Sequence, residues 1–469
     1  MDASLAFTEG FTAASTSPWT LPVTFLMALS VFLSFFFNFS DPVQPAGRRL
    51  KRRMTSTGLT TLLTETDSNR SILFTLTVLD KIVTVDEFAA HLREIMTGDF
   101  WVRFRSTVVD KSFVLVDDFN VADHIHFHAL AADETAHSVA ESLYNAPLDA
   151  TKPLWAAHLV HEAGQTHVMW RIHHCLGDGQ SMSMVFLKVC DNGNDVLAAA
   201  AAVPEPKPPK MTPIQTLLLF LWSLAIYLYK VARMFTLNES TQYYKQPGHT
   251  SKHLSYSLAL TVDETKAVGK QIKASINDVM LSCVAGGLNK LLPADEPRHA
   301  GMFLRAAIPI NMRPSNDKFL TTSNMFSSLM VELPIGETDG VKRTRRVVRA
   351  MNEAKFSLEK VFTLALTKFM SHLPDALMVL MAHRFTTRVS VAITNVRGPG
   401  MELTMAGAKV VQSFGFIPPP PSVNVGIAIT SIGNTLGLTV ATDKSIDATK
   451  LMAAIETEFA VLKASLQQK

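Results

Sequence analysis

Met169-Trp170-Arg171-Ile172-His173-His174-Cys175-Leu176-Gly177-Asp178-Gly179 is the stretch whose reading decides the fold. Val168, Trp170, Ile172 and His174 alternate with Met169, Arg171 and His173, the two-residue period of a strand, which sends the two histidines to opposite faces. His174 shares its face with Trp170 and Ile172, so its imidazole is directed towards an apolar interior. Gly177 and Gly179 break the strand around Asp178, and Ser181 to Val189 resumes as an apolar segment of helical length. The stretch predicts strand, tight loop and helix, with one imidazole at the strand end and one carboxylate at the helix start.

An imidazole suits general-base work near neutral pH because its ordinary pKa is about 6.5. Asp178 fits two roles: it orients a histidine, or it caps the helix and pairs with a cation. Its place just ahead of the helix favours the structural role. Two adjacent histidines are more often ordinary strand residues than a site. The complete His-His-x-x-x-Asp-Gly pattern at such a junction argues otherwise.

Working outward, 469 residues leave room for two or three domains and an ample core. Hydrophobic residues make up 47% and charged ones 18%, and a net charge of +3 gives no reason to expect nucleic acid as a partner. The three cysteines, Cys175, Cys190 and Cys283, lack metal-ligand spacing and fit a reducing compartment. Cys175 points away from His174 if the strand continues, which argues against a Cys/His nucleophile pair. Trp19 to Phe39 carries no charge and is long enough to span a bilayer, which takes about 20 apolar residues. Arg48, Arg49, Lys51, Arg52 and Arg53 follow it and no Lys or Arg precedes it, so the bias predicts a signal anchor with the following domain on the cytoplasmic side.

Further motifs add to the central one: Arg103-Phe104-Arg105, Pro153-Leu154-Trp155, Asn277-Asp278-Val279-Met280-Leu281 and Thr394-Asn395-Val396-Arg397-Gly398-Pro399. Together with His173, His174, Asp178 and Gly179 they resemble the wax ester synthase/diacylglycerol acyltransferase family, over roughly residues 56 to 465. The central pattern alone is shared with chloramphenicol acetyltransferases, plant alcohol acyltransferases and peptide-condensation domains. The Asp-Phe-Gly-Trp-Gly signature of the plant alcohol enzymes is absent. The resemblance implies an α/β, two-subdomain chloramphenicol-acetyltransferase-like fold with a central tunnel, following the N-terminal membrane segment. The expected organisation is an anchor and basic run over 1–55, a first subdomain over 56–203, a crossover over 204–250 and a second subdomain over 251–469.

The rest of the chain fits that plan. Ile72 to Leu79 reads as a strand, Asp86 to Met96 as a helix, and Trp155 first of all as core that helps shape the site. A proline-rich connector leads to the apolar stretch Ile214 to Tyr229, too short for an ordinary span and flanked by cations on both sides. Since one crossing would put the two halves on opposite sides of a bilayer, the expectation is a helix in the membrane interface. In the second half, Asp263 is expected to cap a helix, Asn277-Asp278 to cap another or to reach the site, and Val389 to Ile393 to be a strand leading into Thr394 and Asn395. Ser323-Asn324 stands where the family has Gly-Asn, a departure that bears on the backbone turn there. Lys342, Arg345, Arg346 and Arg349 share one helix face. The default reading is a solvated face, and the sharper one a site for coenzyme A phosphates or anionic lipid headgroups. His372 and His383 lack partners at ligand spacing, so no metal is expected.

The resemblance implies an acyl-CoA-dependent O-acyltransferase joining a long-chain acyl group to diacylglycerol or a long-chain fatty alcohol, at a membrane expected to be the endoplasmic reticulum. His174 is the expected base, with His173 supporting it by packing and Asp178 by structure. Gly179, Asn277, Asp278, Thr394, Asn395 and Trp155 are expected around the substrates, and either Asn277 or Asn395 as oxyanion donor. Acyl-CoA enters as co-substrate and no cofactor is implied. The alternatives are an acyltransferase for a smaller alcohol or amine, and a non-catalytic lipid-binding scaffold of the same fold.

Overall fold

The alternating run before the histidines forms the strand Gln165–His173 of a six-stranded sheet. Trp170 and Ile172 enter one core, where Trp170 meets Phe88 edge-on at 5.9 Å and stacks on Trp155 at 5.7 Å. The computed structural model describes residues 51–201, 211–245, 251–313, 322–398 and 400–467; the expected anchor at 19–39, most of the proline-rich connector and Pro399 lie outside them.

The sheet runs in the order Thr404–Met405, Ala408–Phe416, Ile72–Leu79, Gln165–His173, Trp155–Glu162, Ile125–His128. Helices Val85–Ile95 and Gly179–Val189 cover one face through Phe88, Leu92, Val185 and Val189. Helix Ala136–Asn145 packs on Phe74, Leu76, Val160 and Met169 of the other face. The second sheet runs Phe326–Leu333, Leu304–Asn311, Val391–Arg397, Val425–Ile432, Thr435–Asp443, Lys252–Thr261. Its main cover is Ile276–Leu291, held in turn by Gly340–Phe356 and Ala448–Gln467. Val279, Leu281, Cys283 and Val284 are all fully buried on that helix, so its sequence is apolar all round rather than on one stripe.

The halves interlock. Strand Ala408–Phe416 leaves the second half and pairs antiparallel with Ile72–Leu79, Phe416 opposite Phe74. One wall of the space between the sheets is therefore made by chain from both ends of the sequence.

Two helices differ in local detail from the sequence reading. Helix Val262–Ile272 is capped by Thr261, whose Oγ1 accepts from the Glu264 N–H at 3.2 Å, and Asp263 falls in the first turn. Thr and Asp both cap well, and the strand before this helix simply ends two residues earlier than Asp263. The apolar stretch at 214–229 is part of a longer helix, Pro213–Thr236, because Thr212 and Gln215 form a capping box ahead of it. Among the described residues it is the one helix long and apolar enough to cross a membrane by length and composition. Its inner stripe, Tyr227, Val231, Met234 and Phe235, packs on helices Glu359–Met370 and Asp375–Thr386. The outer stripe, Ile214, Leu217, Leu218, Leu221 and Trp222, is apolar and exposed.

Candidate active site

The strand ends at His173, and the loop that follows is held from three sides. Gly177 allows the close approach: a Cβ there would lie 2.7 Å from Ser181 Cβ and 2.8 Å from Met182 Cε. Buried Arg103 donates to the Leu176 carbonyl at 3.3 Å and sits 5.0 Å over the Phe113 ring. The Phe104 carbonyl accepts the Trp155 indole N–H at 2.7 Å. Two of the sequence motifs thus brace the loop from behind.

Asp178 caps the next helix and takes a cation. Its Oδ1 accepts from the Ser181 N–H at 2.9 Å, and its Oδ2 accepts from Arg313 Nη1 at 3.0 Å and from the Met325 N–H at 2.7 Å. Arg313 Nη2 also donates to the Ser181 hydroxyl (2.8 Å) and the Ser323 carbonyl (2.7 Å). Asp178 makes no hydrogen bond to either histidine among the described residues. The geometry found is the capping-and-cation arrangement, and it fastens the histidine loop to segment 322–325 of the second half.

His173 points to the Glu65 carboxylate, Nε2 to Oε2 at 2.7 Å, and its Nδ1 accepts from the Cys175 N–H at 3.1 Å. Burial acts to lower its pKa, but Cys175 and the carboxylate outweigh it and the net direction is upward. His174 faces the other way. Its Nδ1 lies 3.1 Å from Asn324 Oδ1, while the Asn324 amide nitrogen donates to the carbonyls of His174 (2.8 Å) and Cys175 (3.1 Å). Two carbonyl oxygens can only accept, so that end of the amide must be the NH₂ and the other end the oxygen. An amide oxygen facing Nδ1 requires Nδ1 to carry the proton. The Nε2 lone pair is then left without a partner among the described residues. Burial lowers the His174 pKa against the opposing pull of its own carbonyl, Asp178 and Asn324, which favours the neutral ring.

The ring borders a continuous cavity of about 1890 Å³ between the two sheets. His174, Asp178, Gly179, Thr394 and Asn395 line it. Thr394 and Asn395 do so because strand Val391–Arg397 runs on through the motif, past the expected end at Ile393. Gly398 then permits close pairing, since a Cβ there would lie 1.9 Å from the Ser431 carbonyl oxygen. Asn277 is absent from the lining but lies beside Asn395, whose Nδ2 donates to Asn277 Oδ1 at 3.4 Å. Asp278 closes the capping box with Ser275. Trp155 and His173 are also away from the cavity surface. Lys342, Arg345, Arg346 and Arg349 lie on the exposed face of Gly340–Phe356, and none of the four lines the cavity.

Three residues of this arrangement are not among the expected site residues: Arg313, Glu65, and Asn324, for which the family's Gly-Asn position is the signal that points to it. Asn324 stood next to a departure from the family pattern, at Ser323. That serine does not have a positive φ, so no glycine is required there.

The chain matches the family model for the wax ester synthase/diacylglycerol acyltransferase catalytic domain over residues 54–238 and the model for the WS/DGAT C-terminal domain over 322–463. It belongs to the wax ester synthase/diacylglycerol acyltransferase family. Wax ester synthase/diacylglycerol acyltransferase 11 of Arabidopsis thaliana is 25% identical over 318 residues, 59% of this chain and 65% of that protein. A Mycobacterium tuberculosis protein named for diacylglycerol O-acyltransferase activity is 23% identical over 374 residues, 74% of this chain and 80% of the other. The fold is that of a wax ester synthase/diacylglycerol acyltransferase from Marinobacter aquaeolei VT8, with a TM-score of 0.61 over 88% of this chain and all of that one, at 17% identity. A condensation domain of the calcium-dependent antibiotic synthetase shares it at a TM-score of 0.59 and 13% identity, covering 90% of this chain and 97% of that domain.

Proposed function

We propose that this family member is an acyl-CoA-dependent O-acyltransferase that moves a long-chain acyl group onto diacylglycerol or a long-chain alcohol. The observation that carries the reading is an imidazole at the wall of a large, mainly apolar cavity, with its Nε2 lone pair unpartnered among the described residues. His174 Nε2 takes the acceptor's hydroxyl proton as the oxygen attacks the thioester carbonyl. The tetrahedral intermediate then expels the thiolate, which takes the proton back from Nε2. Of the two candidate oxyanion donors Asn395 is the better placed, because it lines the cavity and Asn277 does not. The reading calls for no covalent acyl-enzyme, metal or redox cofactor.

The same reading places the protein at a membrane, with the endoplasmic reticulum and a cytosolic catalytic domain as the proposed setting. Support comes from helix Pro213–Thr236. Its inner residues Tyr227, Val231 and Met234 line the cavity, while Leu217 and Trp222 on its outer stripe are 57% and 45% exposed. An apolar acceptor moving from a bilayer surface past this helix would stay out of water. Incubation with labelled oleoyl-CoA, diacylglycerol and hexadecanol, with products separated by thin-layer chromatography, tests the activity. Labelled triacylglycerol or wax ester supports the proposal, and label confined to free fatty acid and thioester refutes it.

A further inference from the structure

Among the described residues three cations line the cavity: Lys230, Arg313 and Arg397. Two are committed. Lys230 is tied to Glu359 at 2.9 Å and Glu353 at 3.3 Å, and Arg313 holds Asp178 and the Ser323 carbonyl. Arg397, the last residue of Val391–Arg397, is exposed and makes no side-chain hydrogen bond or ion pair to any described residue. The carboxylates of the lining, Asp178 and Glu359, are those neutralised by the other two cations. Among the described residues Arg397 therefore supplies the uncompensated charge of the cavity wall.

Its position matters as much as its charge. Gln180, Ala199, Asn395, Arg397, Gly400 and Met401 are the exposed lining residues around helix Gly179–Val189 and the end of Val391–Arg397, and they mark an open side of the cavity. A separate part of the lining, on helices Pro213–Thr236, Glu359–Met370 and Asp375–Thr386, is made by Tyr227, Val231, Met234, Leu366, Met370 and Phe385, which suit an acyl chain or lipid acceptor. A coenzyme A thioester must reach His174 with its reactive carbonyl while its phosphates stay hydrated, so it has to leave through the open side. A guanidinium there can grip a phosphate through two parallel N–H donors.

We infer that Arg397 binds the phosphates of the acyl-CoA donor at the open mouth of the cavity, a role that rests on the acyltransferase reading above. The helix cations Lys342, Arg345, Arg346 and Arg349, which share a face but not the cavity, have no part in it.

The test compares oleoyl-CoA with oleoyl-N-acetylcysteamine, a thioester without the nucleotide, as donors for the full chain. Arg397→Ala should raise the KM for oleoyl-CoA about tenfold with less than a twofold change in kcat, and Arg397→Lys should recover part of the loss. With the nucleotide-free thioester the variant and the natural protein should have the same KM. The Lys342→Ala/Arg345→Ala double variant should leave the oleoyl-CoA KM in place. An unchanged KM in Arg397→Ala, an equal rise with both donors, or a rise in the helix double variant alone would each overturn the assignment. A natural protein inactive on both thioesters would overturn the acyltransferase reading itself, a separate failure.

Discussion

Replacing Asn324 with alanine removes the group that selects the His174 tautomer. Three hydrogen bonds go at once: the one from His174 Nδ1 and the two donated to the His174 and Cys175 carbonyls. A neutral hydrogen bond contributes about 1 kcal/mol net, and carbonyls left unpaired add to the loss, so the expected destabilisation is about 2–4 kcal/mol. Only the bond to Nδ1 bears on the chemistry. Losing about 1.5–2 kcal/mol of orientation and tautomer preference lowers kcat roughly 10- to 30-fold. The assay is steady-state turnover of oleoyl-CoA at saturating acceptor, with denaturant unfolding on the same preparation. A second variant, Asn324→Asp, separates charge from shape. Burial holds the His174 pKa below its ordinary 6.5, so kcat/KM of the natural protein should fall only below that pH, as the ring gains its proton. A carboxylate at 324 stabilises the imidazolium and should move that acid limb upward. Asn324→Ala with kcat within twofold of the natural protein, or Asn324→Asp with an unmoved limb, would refute the reasoning.

Other expectations follow from the same geometry. Asp178→Asn keeps a helix cap but leaves Arg313 without its charge partner in a nearly buried site, and should cost about 3–5 kcal/mol by denaturant unfolding. His173→Ala and Glu65→Gln break the pair behind the histidine loop; each should lower Tm and reduce kcat less than tenfold, well short of the expected His174→Ala loss. Serine at Leu217, Leu218 and Trp222 together should reduce flotation with phospholipid vesicles while leaving turnover of detergent-dispersed acceptor within twofold.

Much of the fold is written locally. Alternation over 168–173 and glycines at 177 and 179 specify strand, loop and helix, and Asp178 is the N-cap its position implied. Pro374 divides the apolar run from 358 to 385 into two helices, as its missing N–H requires. What periodicity cannot show is which distant segments meet. Asn324 lies 150 residues beyond His174, in a loop with no repeating pattern, and only the folded chain shows it fixing the imidazole. Glu65 is likewise remote from its partner, 108 residues before His173. The entry of Ala408–Phe416 into the first sheet is likewise invisible, because a strand's pattern states its faces and not its neighbours. The cations of Gly340–Phe356 show the converse: a shared face is legible, and what that face borders is not.

The most direct test of the general-base assignment is single-turnover acyl transfer from oleoyl-CoA to diacylglycerol or hexadecanol by natural protein and His174→Ala, each confirmed folded by circular dichroism. A positioned base contributes roughly 10²- to 10⁴-fold, so the variant should lose at least 100-fold in rate. A folded His174→Ala protein that transfers within tenfold of the natural rate would contradict the account.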